Sequence, residues 1–79
     1  MGAFRARLTF PAELVKEPVI ARLARNFDVL PNIRQAKVEA SSGWIVCELE
    51  GSPLAIEAAV SWLKDLGVQV DPLGDVVEG

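Results

Sequence analysis

The chain has 79 residues, 51% of them hydrophobic and 24% charged, with a net charge of −3. That is room for one domain, with a composition that packs into a core rather than staying disordered. The acidic balance speaks against a sequence-independent grip on nucleic acid, which needs a basic surface to displace counterions. The single cysteine, Cys47, excludes a disulfide framework, and the sequence holds no histidine. A domain of this size buries only about 60% of its unfolded surface, so its stability is expected to be modest. No apolar run approaches the roughly 20 residues that span a bilayer. The first residues, Met1 to Ala6, match neither a signal peptide nor a myristoylation motif. The expectation is a cytoplasmic protein with no membrane insertion. Arg5, Arg7, Arg22, Arg25 and Arg34 lie in the N-terminal half and the acidic excess in the C-terminal half, a pattern read as internal charge pairing.

Residues 4–10 alternate strictly, with Phe4, Ala6, Leu8 and Phe10 on one side and Arg5, Arg7 and Thr9 on the other. Period two marks a half-buried strand, and Pro11 ends it. From residue 18 to 27 the period becomes helical: Val19, Ile20, Leu23, Ala24 and Phe27 form one stripe, opposite Arg22, Arg25 and Asn26. Pro18 suits the first helical turn, and Pro31 bars continuation. A second strand is predicted over 32–40, with Ala36, Val38 and Ala40 facing the core. After a turn at Ser41-Ser42-Gly43, a third strand over 44–50 buries Ile45, Cys47 and Leu49. Ser52 as cap and Pro53 behind it open a second helix, whose stripe is Ile56, Ala59, Val60, Leu63 and Leu66. Gly67 suits a left-handed end. Residues 68–71 form the last strand, and 75–79 are expected to be a flexible tail.

The order β-α-β-β-α-β predicts one domain over residues 1–74 in the α+β class. Its architecture is a ferredoxin-like two-layer sandwich with antiparallel strand order 4-1-3-2 and both helices on one face. The other face is left open. Arg5 and Arg7 then lie beside Glu48 and Glu50, where opposite charges on neighbouring strands attract. Trp44 and Val46 share that face, and Ile33 is a candidate to join them. Trp44 is either shielded by neighbouring stems such as that of Lys37 or an interaction surface. Trp62 seals the edge of the sandwich. Cys47 reads as a buried, inert hydrophobe. Arg34 falls in phase with the core-facing side, so it either snorkels at the rim or meets an anionic group, which a guanidinium can bind bidentately.

No histidine that could serve as a general base near neutral pH, no Cys/His pair, no phosphate-binding glycine loop and no clustered metal-ligand set is present in the sequence. A catalytic site, a metal site and a cofactor are therefore not expected.

Several segments, taken in order, resemble the NIL domain family over about residues 4–74. They are Arg-Leu-Thr-Phe-Pro at 7–11, Pro-Val-Ile at 18–20, Asn32-Ile33, Glu48-Leu49-Glu50-Gly51, Trp62-Leu63, Leu66-Gly67-Val68 and Val70. The family motif Asn-Ile-Leu stands here as Asn32-Ile33-Arg34, a departure at its third position. The short hairpin looks like the version found beside ferredoxin modules. The resemblance implies a non-catalytic regulatory module. In methionine-importing ABC transporters a similar domain follows the ATPase, pairs as a dimer and binds methionine, which inhibits transport. It implies a homodimer binding a small amino-acid-like ligand, methionine being the leading guess, near Asn32, Ile33 and Arg34. The Asn32 amide can donate to and accept from an amino-acid backbone, or it merely caps the turn after Pro31. The alternative is a protein–protein interaction module that docks on an enzyme, transporter or redox partner through Trp44 and Val46.

Overall fold

A computed structural model describes residues 2–73, so the tail expected over 75–79 lies outside the described residues. The sheet is antiparallel, with strands β1 (Gly2–Phe10), β2 (Val29–Val38), β3 (Gly43–Gly51) and β4 (Gln69–Pro72) in the order β2-β3-β1-β4. Helices α1 (Val19–Asn26) and α2 (Pro53–Leu66) complete the ferredoxin-like β-α-β-β-α-β chain. A short 3-10 turn, Ala12–Leu14, follows Pro11 and has no counterpart in the sequence reading.

The alternating strands fold as their patterns demand. Ala6 and Leu8 of β1 and Ile45, Cys47 and Leu49 of β3 are buried on one face, where they meet Val19 and Leu23 of α1 and Ala59 and Leu63 of α2. Phe27 and Trp62 close one edge of this core, with ring centroids 5.5 Å apart and planes tilted by 54°, a geometry that suits the aromatic quadrupoles. Burial pushes the Cys47 thiol up to about 11, with the nearby Glu48 charge adding to the effect. The thiol is therefore neutral and unreactive at physiological pH.

Helix α2 starts and stops on the expected residues. The Ser52 hydroxyl accepts a hydrogen bond from the Ala55 N–H at 3.1 Å, Pro53 follows, and Gly67 closes the helix at φ 104°. Gly51, just before, is required by space: a Cβ there would lie 2.7 Å from the Asp28 carbonyl oxygen. Pro18 stands at the cap of α1 rather than inside its first turn. Ala24 and Leu66, expected in the buried stripes, are exposed.

Strand β2 departs most from expectation. It begins at Val29, three residues earlier than predicted, and takes Pro31 into the sheet. A residue without an N–H is tolerated there because β2 is an edge strand. Between Ile33 and Gln35 the register slips: Ile33 lies opposite Cys47, but Gln35 lies opposite Val46. Arg34 is the extra residue of a β-bulge, and the bulge resets the alternation. Two expectations change with it. Ile33 belongs to the helix side of the sheet, not the open face. Arg34 is not held on the helix side with Ala36; it contacts Glu48, on the open face.

Candidate functional site

The open face is built by the residues opposite the core positions. On β3 these are Trp44, Val46, Glu48 and Glu50, all half-buried. On β1 they are Arg5, Arg7 and Thr9, and on β2 Asn32, Gln35 and Lys37.

Glu48 is the centre of charge. Its Oε2 accepts hydrogen bonds from Arg5 Nε, at 2.9 Å, and from Arg5 Nη2. Its other oxygen lies 3.7 Å from Arg34 Nη1. The Arg5 hydrogen bonds, followed by the charges of Arg5 and Arg34, hold the Glu48 carboxyl below the usual carboxylate range against an opposing desolvation effect. Asn32 lies directly opposite Glu48 across β2 and β3. The strand pairing and the bulge thus gather Asn32 and Arg34 around one carboxylate. Ile33 is carried to the other face, where it is 49% exposed at the sheet edge.

Trp44 and Val46 occupy the neighbouring positions along β3. The Arg7 guanidinium stands over the Trp44 ring, 4.5 Å from its centroid, a cation–π arrangement worth about 0.5–1 kcal/mol at an exposed site. Lys37 and Thr9 flank the same tryptophan. The cover therefore comes chiefly from Arg7, whose place beside the ring the strand register determines. Val46 sits between Arg7 and Gln35.

Two features lie outside the sequence reading. One is the link from Arg34 to Glu48, which needed the bulge to be known; Arg5 beside Glu48 was the available hint. The other is a mainly apolar cleft of about 210 Å³ on the helix side, lined by Phe10, Leu14, Pro18, Ile20, Val38 and Ile45. The 3-10 turn forms one wall, and no periodicity announces that turn. A wider groove of about 580 Å³ runs between the start of β1 and α2, past Phe4, Ile56, Val60 and Lys64. Among the described residues no group of three His, Cys, Asp or Glu side chains could hold a metal ion. No described helix is long and apolar enough to cross a membrane.

Comparison with known proteins agrees with this architecture. The model of the NIL domain family matches residues 5–72. The methionine import ATP-binding protein MetN of Chromohalobacter salexigens is 39% identical over 74 residues, covering 89% of this chain and 21% of that protein. MetN 1 of Salmonella typhimurium is 32% identical over 74 residues, with 89% and 22% covered. The chain thus spans about a fifth of the length of these relatives. The crystal structure of the C-terminal domain of an ABC transporter ATP-binding protein from Enterococcus faecalis superposes with a TM-score of 0.78 at 26% identity, covering 92% of this chain and 86% of that one. On the family match and on the shared fold, this chain belongs to the NIL domain family.

Proposed function

We propose that the chain is a non-catalytic regulatory module of the cytoplasm that works as a homodimer and binds a small amino-acid-like effector at the dimer seam, with methionine the leading candidate. The observation that carries this reading is the state of β2. The helix side of this edge strand is apolar at Ile33, Ala36 and Val38, and all three are exposed. A second copy seated along β2 would cover that strip. The seam would run past Asn32 and Arg34, whose amide and guanidinium suit the polar end of an amino acid. The methionine-import relatives support the choice of ligand.

The test is thermal unfolding of the full chain with a panel of amino acids at millimolar concentration, L-methionine first. A ligand at 100 times its dissociation constant adds roughly 2.7 kcal/mol, which raises the midpoint by about 10 °C or more for so small a domain. Asn32→Ala should weaken or abolish the shift. If no amino acid shifts the wild type, the effector reading fails. Docking on a protein partner through Trp44 and Val46 would then be the reading to pursue, although Arg7 would first have to leave the Trp44 ring.

A further inference from the structure

We propose that Arg34 is the specificity-determining residue of this site, and that it selects ligands carrying a free carboxylate by exchanging Glu48 for the ligand. The proposal rests on the reading of a ligand site along β2 and deepens it.

Three observations carry it. First, Arg34 is the extra residue of the bulge between Ile33 and Gln35. Such a residue is left out of the ladder and the strand bends there, a device that re-aims side chains. Counted on from Ile33, which faces the helices opposite Cys47, position 34 falls on the open-face side, and the bulge leaves it out of the pairing between Ile33 and Gln35. Second, the partner that Arg34 has is weakly held. The 3.7 Å separation from Glu48 exceeds hydrogen-bonding distance, whereas Arg5 makes two hydrogen bonds to the same carboxylate. Glu48 therefore stays neutralised when Arg34 turns away, and the exchange leaves no charge stranded. Third, the Arg34 side chain is 55% exposed and its donors form a planar fork that matches a carboxylate. Asn32, opposite Glu48 on the same face, offers an acceptor for a neighbouring amino group.

Seam formation determines when this matters. On an open edge a guanidinium and a carboxylate are both hydrated and gain little from each other. Once a second copy excludes water from β2, the charge-assisted pair strengthens, and a ligand without the carboxylate leaves Arg34 with only its long contact to Glu48.

The experiment compares L-methionine with L-methioninamide, and each effective panel amino acid with its own amide, by calorimetry and thermal shift on the full chain. It uses wild type, Arg34→Ala and Arg34→Lys. Wild type should bind the acid and not the amide. Arg34→Ala should bind the acid about 10- to 100-fold more weakly, and Arg34→Lys should recover part of the loss. Ligand-free Arg34→Ala should melt within a few degrees of wild type, because Arg5 still holds Glu48. Equal binding of acid and amide by wild type, or undiminished binding by Arg34→Ala, overturns the role of Arg34 and leaves the effector reading intact. A wild type that binds neither acids nor amides overturns both.

Discussion

Glu48 accepts two hydrogen bonds from Arg5 and faces Arg34 at 3.7 Å, and its side chain is only 17% exposed. Its ionised form is therefore favoured in the folded state over the unfolded one, and its carboxyl titrates below the ordinary value of 4.5. The sign of the linkage follows. A depressed carboxyl contributes stability that is present above its unfolded pKa and lost as pH falls through the folded value. Glu48→Gln should therefore lower the unfolding midpoint at pH 7. The gap to wild type should narrow steadily as the pH drops below 4.5. Midpoints of the two proteins measured from pH 7 to pH 2.5 would check this, and a gap independent of pH would show that Glu48 acts by packing instead. The neighbouring Trp44 follows a different logic. Its half-buried position on an open face is stabilised by Arg7 above the ring, a contact the alternation of β1 and β3 suggested only as far as placing both residues on one side.

At the scale of elements, the junction between β3 and α2 is the least forgiving. Gly51 pairs with both Gly2 and Val29, and a methyl group at Gly51 would press on the Asp28 carbonyl. Backbone cannot give way as a flexible side chain can. Gly51→Ala should therefore destabilise by about 1–3 kcal/mol, as overpacking does, and lower the midpoint by about 4–8 °C for each kcal/mol. Gly2→Ala meets nothing within 4 Å and should be nearly neutral. Equal effects from both would show that conformational freedom, not space, decides these positions. The elements themselves were readable wherever one rule governed a whole segment. Strict alternation carried β1 and β3, and the Ser52–Pro53 start and Gly67 stop carried α2. In β2 two rules collide. Pro31 reads as a breaker but sits at a sheet edge where it is harmless. The bulge at Arg34 then reverses the phase, so the alternation of Ala36 and Val38, read backwards, assigns Ile33 and Arg34 to the wrong faces. Of the site, the sequence singled out Asn32 and Arg34 but not the carboxylate that links them, because that meeting depends on a register only the folded sheet supplies.

For the whole molecule, the question is what covers β2. Its neighbour α1 has eight residues and spans about 12 Å, whereas the ten residues of β2 extend about 33 Å. A helix this short cannot shield the strand, and from Asn32 onward every β2 residue is exposed, with Val38 at 66%. Edge strands invite association, and Pro31, the bulge and Lys37 are the devices by which edges resist indiscriminate pairing. These devices interrupt the backbone edge without removing the apolar strip of Ile33, Ala36 and Val38. A partner is therefore favoured that packs on the strip in one register, and under the proposed self-association a contact made through the same strip on both copies would close as a twofold dimer rather than a fibre. The chain should sediment at twice the monomer mass at tens of micromolar, and its unfolding midpoint should rise with protein concentration, because dimerisation stabilises by mass action. Val38→Asp, at a position already exposed in the single chain, should leave the monomer folded while abolishing both effects. A wild type that sediments as a monomer and melts at one temperature over a hundredfold range of concentration would remove the seam. The strip along β2 would then be a surface for a different chain, and the effector site would have to be complete within one copy.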